Sequence, residues 1–379
     1  MSAGQTQLKT YDAAVIGGGL VGAAIAYGLR KRLANVAVLD EGDTAYRASR
    51  GNAGLVWVQG KGLGMASYVN WTRSSARLWP QLAQELLDVT GQEVFLDQPG
   101  GLHPTFSDEE YEARRLDLER LMRQPGVEPY EWRMLDRKEV AELVPGVGPR
   151  LRGASWTPLD GTANPLKLLR ALHAALISSG VSYLPDHGVA AIERNSDGFV
   201  LRSARGVVHA TKIVLAAGLG NKKLGELVGL NVPVRPQRGQ VIVLERTRRM
   251  LSMPFTTLRQ MDEGSWIIGD SHEEAGYEDR MTTLPVLATL ADRALQLLPA
   301  LQEVRAVRTW AALRVMSQDG FPIYDQSSTH PGAFVVTCHS GVTLAAAHAL
   351  RLAPMIADGV LPSDMNAFST RRFNVQKAA

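Results

Sequence analysis

The chain has 379 residues, which is long for a single hydrophobic core and indicates two domains. Hydrophobic residues make up 45% of it, as in ordinary globular proteins, and no stretch approaches the roughly 20 apolar residues needed to span a bilayer. The 41 basic and 38 acidic residues nearly balance, at a net charge of +3, which argues against a nucleic-acid partner.

The N-terminal sequence, residues 1–10, has neither an apolar core nor a cleavage signal, so we predict a cytoplasmic location. Cys338 is the only cysteine. A single cysteine excludes an internal disulfide. It also excludes an iron–sulfur cluster held by this chain alone, because such clusters usually take four thiolates. We predict no metal site.

The most informative pattern begins with the apolar run Asp12–Ile16, which predicts a buried parallel strand. Gly17, Gly19 and Gly22 follow with the GxGxxG spacing, and a helix is predicted over Leu20–Arg32. Such glycines allow a tight turn, close approach of the backbone to a pyrophosphate and close packing of helix on strand. The pattern favours a dinucleotide site at the start of the helix over a glycine-rich turn without a ligand.

The next predicted strand, Asn35–Leu39, ends at two acidic residues, Asp40 and Glu41. In dinucleotide-binding folds an acid about 20 residues after the glycines hydrogen-bonds the ribose hydroxyls. An acid at this position also disfavours a cofactor with a 2′-phosphate. The dinucleotide motif is therefore complete.

Asn164 as N-cap, Pro165 in the first turn and Gly180 as a stop predict the next clear helix. Its spacing predicts one buried face, formed by Leu166, Leu169, Leu172 and Leu176. Short apolar or alternating runs then predict strands at residues 181–184, 189–193, 198–202, 206–209 and 212–216, with a hairpin turn over Asn195–Gly198.

The second half of the chain predicts an antiparallel sheet, with strands at residues 240–244, 265–269 and 304–316 and a helix over 284–298. A last apolar strand, Ala333–Cys338, is followed by His339, Ser340 and Gly341 and by a helix predicted from Thr343 to about Ala357. The order strand, glycine, helix repeats the arrangement at the N-terminus.

Several motifs, spread in order over nearly the whole chain, resemble those of the D-amino-acid oxidase-like family of FAD-dependent amine oxidoreductases. They are GGGLVG at 17–22, Asp40, SRGNAG at 49–54, AAG at 216–218, the PxxPxRGQ-like segment 233–240, ALRVMSQDGFP at 312–322 and HSGVTLA at 339–345. The resemblance implies an α/β fold with a Rossmann-like FAD-binding domain built on a parallel sheet and an antiparallel-sheet substrate domain. The implied domains are residues 1–90, 155–235 and 325–379 for FAD, and 91–154 and 236–324 for the substrate.

The resemblance places three parts of the chain against particular groups of FAD. The segment at 49–54 would lie beside the pyrophosphate and the ring, Val189 beside the adenine, and residues 341–344 beside the pyrimidine end of the flavin. A helix N-terminus there would stabilise the negative charge of the reduced ring. The implied cofactor-binding residues are Gly17, Gly19, Leu20, Val21, Gly22, Asp40, Glu41, Ser49, Arg50, Asn52, Ala53, Gly54, Leu55, Val189, Ala217, Gly218, Gly341, Val342, Thr343 and Leu344.

The FAD is predicted to be non-covalent. SRGNAG contains no histidine, and Cys338 precedes the flavin-adjacent turn instead of standing where sarcosine-oxidase-like relatives attach the cofactor.

Two catalytic residues are implied by the same resemblance. Arg314 matches the arginine that pairs with a substrate carboxylate, where a planar bidentate donor fixes the substrate. The alternative is a structural arginine, because Ala312 and Val315 stand where relatives often have Gly and Pro. His339 would stabilise the reduced flavin or bond to backbone in a crowded turn. Trp57 would line the pocket or a partner surface, or pack in the core.

The implied reaction removes a hydride from the carbon next to an amine nitrogen, delivers it to flavin N5 and leaves an imine that water hydrolyses. The RGNAGLVWVQGKG run, residues 50–62, is similar to the beta subunits of dehydrogenase complexes for opines and D-hydroxyproline. Those subunits pass electrons to partner subunits that carry further redox cofactors, and attachment at the inner membrane through such partners is one alternative to a free cytoplasmic complex. A self-contained glycine, sarcosine or D-amino-acid oxidase and a non-catalytic flavin-binding subunit are the other functions considered.

The rate of reaction with oxygen is predicted from the absence of a lysine in one segment. Some oxidase relatives place a lysine that activates oxygen near the segment Trp266–Gly269, which has none here. We therefore predict slow reaction with oxygen.

Overall fold

The computed structural model describes residues 10–42, 47–269 and 271–373. The predictions made for the segment before Thr10, and for the last residues of the C-terminal domain segment, lie outside the described residues. The described strands are β1 Thr10–Ile16, β2 Val36–Leu39, β3 Leu55–Val56, β4 Gly101–Thr105, β5 Arg133–Asp136, β6 Gly153–Thr157, β7 Gly161–Thr162, β8 Ser182–Leu184, β9 Val189–Asn195, β10 Gly198–Ser203, β11 Gly206–Leu215, β12 Val234–Leu244, β13 Leu258–Gln260, β14 Trp266–Ile268, β15 Glu273–Glu274, β16 Ala306–Ser317, β17 Ile323–Gln326 and β18 Ala333–Thr337.

The helices of the described residues lie mostly between these strands. They are α1 Leu20–Arg30, α2 Ala66–Thr90, α3 Asp108–Met122, α4 Arg137–Leu143, α5 Pro165–Ser178, α6 Asn221–Glu226, α7 Leu284–Leu297, α8 Ala345–Ala347 and α9 Ala353–Asp358, with a π-helical segment at His348–Leu352 and 3₁₀ turns at Gly218–Gly220, Pro299–Glu303, Ser363–Phe368 and Thr370–Phe373. None of them is long and apolar enough to cross a membrane, within the three described ranges.

An eight-stranded sheet forms the base of the dinucleotide site. Its main path runs β17-β18-β11-β1-β2-β8, and the strands from β18 to β8 pair in parallel. The two strands predicted at residues 206–209 and 212–216 are one strand, β11. Its first half pairs with β10 in a hairpin and its later residues pair with β1, and the polar Thr211 between them donates to Asp12 O at 2.6 Å.

The two faces of this sheet are covered differently. Ala13 and Val15 of β1 pack with α1, α2, α5 and the last helix, whereas Ala14 and Ile16 face the hairpin β9–β10 and residues 228–234. The alternation follows from the period-two geometry of a strand. Gly28 lets α1 approach the last helix, because a Cβ there would lie 2.1 Å from Ala349 O.

A five-stranded antiparallel sheet follows in the second half of the chain, with order β13-β14-β12-β15 and with β16 paired along β12. It shares a third core with the antiparallel β4-β6-β5 sheet and helices α4 and α7. The predicted α/β class, with one parallel and one antiparallel sheet, is confirmed. The long β12–β16 pairing places Arg314 opposite Gln237.

Two sequence predictions fail in detail. Leu166 is 56% exposed, because the buried face of α5 is formed by Leu168, Leu169, Leu172 and Leu176. The last helix begins at Ala345 instead of Thr343 and contains the π-helical segment before Pro354. Proline cannot donate a backbone hydrogen bond and its ring crowds the preceding turn, which accounts for the altered register there.

Candidate functional site

A cavity of about 870 Å³ lies at the carboxyl ends of four parallel strands. It begins at Ile16, Leu39, Ala216 and Val336, the last residues or next neighbours of β1, β2, β11 and β18. Its volume falls in the range of roughly 300–1,000 Å³ typical of small-molecule sites, and ligands of parallel α/β sheets bind at this edge. The predicted residues in its lining are Gly17, Gly19, Leu20, Val21, Asp40, Glu41, Ser49, Asn52, Val189, Ala217, Gly218, His339 and Gly341.

The glycine turn is fixed by contacts from two sides. Ser49 Oγ accepts from Leu20 N at 2.9 Å, and a Cβ at Gly19 would lie 2.8 Å from that hydroxyl. Asp40 accepts from Gly18 N at 2.6 Å and lies 8% exposed at the cavity wall. Asp40 and Ser49 thus fix the position of the glycine turn, and the backbone of this turn lies at the cavity wall.

A second, smaller cavity of about 170 Å³ adjoins the first. Both linings include Ala48, Asn52, Leu313 and His339, so the small cavity lies at one end of the large one. The segment 48–53 packs on β16 here, since Trp310 Nε1 donates to Gly51 O at 3.3 Å. The predicted residues in the small lining are Asn52, Ala53, Leu55, Arg314, His339, Val342 and Thr343.

Arg314 reaches the small cavity from β16. Its Nη1 donates to Arg238 O at 3.3 Å, and a Cβ at Gly239 would lie 2.4 Å from Nη2, so the guanidinium lies directly against that glycine. Any side chain at position 239 would therefore displace the guanidinium. Gly239 of the RGQ motif on β12 thus makes room for Arg314 of the RVM motif on the paired strand β16.

The turn after β18 is held from beneath by α2. Trp79 Nε1 donates to Val342 O and Thr343 O, both at 3.1 Å, and Ser75 Oγ donates to Thr343 O at 2.7 Å. Thr343 Oγ1 donates to Leu55 O at 3.1 Å. These bonds fix Val342 and Thr343 as a wall of the small cavity.

Lys61 was not found from the sequence, although it lines the small cavity. Its Nζ donates to Ser340 Oγ, which also lies 3.1 Å from Tyr68 OH and 3.1 Å from His339 Nε2. The only indication in the sequence was a lysine between two glycines, Gly60 and Gly62, just after the NAG motif.

The segment considered for an oxygen-activating lysine, Trp266–Gly269, does not line either cavity. Within the described residues, β14 contributes no residue to the lining of either cavity, whereas Lys61 does. Trp57, for which three places were considered, is 4% exposed and lines the small cavity as well.

A buried polar network lies below the segment that carries Trp57 and Lys61. Asp160, fully buried, accepts from Val58 N at 2.5 Å and from Gln59 Nε2 at 2.7 Å. Arg114 Nη2 donates to Gln59 Oε1 at 3.0 Å. Burial raises the pKa of Asp160 to about 7, although the hydrogen bonds from Val58 and Gln59 oppose this shift.

Four of the predicted cofactor-binding residues lie outside both linings as described: Gly22, Arg50, Gly54 and Leu344. Gly22 packs tightly against the turn, because a Cβ there would lie 1.9 Å from Gly17 O. Gly54 has φ of +83°, and a Cβ there would lie 2.4 Å from Ala163 O, whereas Leu344 is fully buried in the core. Arg50 is exposed.

Together, the parallel sheet, the glycine turn and the joined cavities define a dinucleotide-binding protein. The profile of the family described as FAD dependent oxidoreductase matches residues 12–355, and the chain belongs to this family. It is 45% identical to the B subunit of opine oxidase from Agrobacterium tumefaciens (strain Ach5) over 97% of this chain and 99% of that relative.

Further comparisons agree with this assignment. The chain is 44% identical to the B subunit of opine oxidase from Rhizobium meliloti over 97% of this chain and 99% of that relative. The crystal structure of glycine oxidase from Geobacillus kaustophilus superposes with a TM-score of 0.86 at 26% identity, covering 95% of this chain and 98% of that one. The protein is thus an FAD-dependent oxidoreductase, and the large cavity fits its cofactor in place, size and lining.

Proposed function

We propose that the chain is the catalytic subunit of a multi-subunit dehydrogenase that oxidises the C–N bond of a secondary-amine amino acid such as an opine. The observation that carries this proposal is the small cavity, in which Arg314 lies at the end of the FAD cavity. The similarity to two opine oxidase B subunits supports both the substrate class and the presence of partner subunits.

The flavin, when bound, supplies the hydride acceptor. The protein's part is to place the substrate: Arg314 would bind its carboxylate through two parallel N–H donors and so fix the neighbouring C–H bond. Trp57, fully packed beside this cavity, would exclude water from it. His339 lies where the two cavities join and would contact both substrate and ring.

Electrons would leave through partner subunits. The chain has one cysteine, so an iron–sulfur relay would have to come from another polypeptide. We also propose that the complex works in the cytoplasm, with D-hydroxyproline and other secondary amino acids as further candidates for the substrate.

A self-contained oxidase is the second candidate, because the glycine oxidase fold superposes over nearly the whole chain and because Lys61 lines the small cavity. Anaerobic addition of opines, D-hydroxyproline, sarcosine and glycine to the purified flavoprotein should bleach the flavin with a secondary-amine amino acid. Reoxidation is then followed with an artificial dye and with oxygen. Fast dye reduction with slow peroxide formation supports the dehydrogenase, whereas fast stoichiometric peroxide supports the oxidase, and a flavin that no amine bleaches contradicts both.

A further inference from the structure

The small cavity holds two cationic side chains that reach it from different parts of the fold. Arg314 comes from β16, and Lys61 comes from the segment after β3. Among the described residues that line this cavity there is no aspartate or glutamate. The lining therefore favours a ligand that brings more than one negative charge.

Both cations are held in defined positions. The Arg314 guanidinium lies against Gly239 and donates to Arg238 O, on the sheet side of the cavity. Lys61 Nζ is held by Ser340 Oγ, at the side of the turn that follows β18. The two cations are thus held by different elements, Arg314 against β12 and Lys61 against the turn after β18.

The segment that carries Lys61 is anchored from below. Asp160 accepts from Val58 N and from Gln59 Nε2, and Gln59 Nε2 also donates to Gly101 O at 3.0 Å. Thr343 Oγ1 accepts from Trp57 N at 3.2 Å. A lysine on a segment fixed by four hydrogen bonds loses little further freedom when it binds an anion, as expected for a preorganised contact.

We propose that Lys61 binds a second acidic group of the substrate and makes the site selective for amines flanked by two carboxylates. This inference rests on the proposed function, in which Arg314 takes the first carboxylate. The Lys61 ammonium would donate a charge-assisted hydrogen bond to the second carboxylate, on the opposite side of the amine nitrogen. A monocarboxylic amine would leave this contact unmade.

The test uses two ligands that cannot be oxidised at nitrogen, because an ether oxygen replaces the amine. Diglycolate carries two carboxylates and methoxyacetate carries one. Binding of each to the FAD-loaded chain is measured by perturbation of the flavin spectrum and by calorimetry. Lys61→Met should weaken diglycolate by roughly 10- to 100-fold and leave methoxyacetate within about threefold, the size of one hydrogen bond to a charged group.

Lys61→Arg keeps the charge and should retain most of the preference for diglycolate. Lys138→Met, at an exposed position on α4, is the matched control for loss of a lysine. FAD content and near-UV circular dichroism of each variant show whether it folds. Equal affinity of the unmodified protein for both ligands, or equal weakening of both by Lys61→Met, overturns the proposal.

Turnover separates this proposal from the proposed function. The pair is an N-(1-carboxyethyl) amino acid and the matching N-isopropyl amino acid, which differ by one carboxylate. If neither bleaches the flavin while the diglycolate preference depends on Lys61, the catalytic function fails and the binding site stands. If Lys61→Met lowers kcat equally for both and shifts the pH profile, Lys61 is a proton acceptor and the proposal is wrong.

Discussion

Gly22 shows how one missing side chain allows the first helix to meet the first strand. A Cβ at this position would lie 1.9 Å from Gly17 O, a backbone atom that cannot move aside without breaking the turn. We expect Gly22→Ala to lower the free energy of unfolding by about 1–3 kcal/mol and to reduce the FAD content of the purified protein. Gly276→Ala is the control, because a Cβ there meets nothing within 4 Å. Full FAD content and unchanged urea unfolding of Gly22→Ala would contradict this role.

Arg314 allows substrate binding to be separated from FAD binding. Within the described residues its side chain lines the small cavity and not the large one. Arg314→Met should therefore raise the substrate concentration that half-bleaches the flavin by roughly 10- to 100-fold while FAD stays bound. Arg314→Lys keeps the charge but loses the planar pair of donors. Its half-bleaching substrate concentration should therefore fall between those of the native protein and Arg314→Met. Unchanged saturation behaviour in Arg314→Met would remove this residue from the substrate site.

The sequence predicts those site residues that belong to a short continuous motif. Gly17, Gly19 and Asp40 follow from one strand–turn–helix motif, and the structure places all three at the large cavity. Lys61 and Asp160 belong to no such motif, because their neighbours come from distant segments. The pairing of β7 with β3 brings Asp160 to Val58, and no spacing in the sequence encodes that pairing.

At the scale of elements, strands were predicted better than the start of the last helix. Gly341, Val342, Thr343 and Leu344 continue the apolar pattern of the helix, so periodicity alone places the helix start too early. In the structure these residues form a turn, because Ser75 and Trp79 of α2 bind the carbonyls of Val342 and Thr343. Long-range hydrogen bonds therefore decide the boundary, and they are invisible to a local pattern.

The free energy of unfolding should depend on pH through Asp160, which lies below the segment that carries Lys61. Burial raises the pKa of this carboxyl to about 7, so the folded protein keeps a proton that the unfolded chain releases above its ordinary pKa of 3.8. The resulting stability is present at low pH and is lost as the pH rises towards 7. An asparagine side chain cannot titrate, so the stability of the native protein relative to Asp160→Asn should fall by about 1.4 kcal/mol per pH unit between pH 5 and 7.

Urea unfolding of both proteins across this range measures the difference in slope. The substitution also changes the unfolding free energy by an amount that does not vary with pH. An asparagine has one acceptor oxygen in its side chain, so it loses one of the two acceptors that Asp160 offers to Val58 and Gln59. Parallel curves for the two proteins would show that Asp160 is ionised throughout and that burial does not control it.

At the scale of the whole molecule, the fold class followed from the sequence but the neighbours of each strand did not. The main path of the eight-stranded sheet takes strands from residues 10–39, 182–215 and 323–337. The exact domain bounds stay a prediction. The hairpin β9–β10 joins the same sheet through β11, which a pattern of short alternating runs cannot distinguish from a separate sheet.

The FAD cavity is built from distant parts of the chain, so binding of the cofactor should stabilise the whole protein. Its lining runs from Ile16 to Asn52, includes Val189 and Ala217, and ends at Gly341. Cys338 is the only thiol and lies in this lining, but burial raises its pKa to about 12, which leaves it protonated and a poor nucleophile. We therefore expect the flavin to be held without a covalent bond.

Acid precipitation should consequently release all of the yellow colour into the supernatant. FAD added to the flavin-free protein at 100 times its dissociation constant should raise the free energy of unfolding by about 2.7 kcal/mol, because the ligand binds only the folded chain. The measurement is thermal or urea unfolding at several FAD concentrations, with Cys338→Ser as the control that should still bind and release FAD. Flavin retained on the precipitate of the native protein but not on that of Cys338→Ser would show a thioether link and contradict the expectation of a non-covalent cofactor.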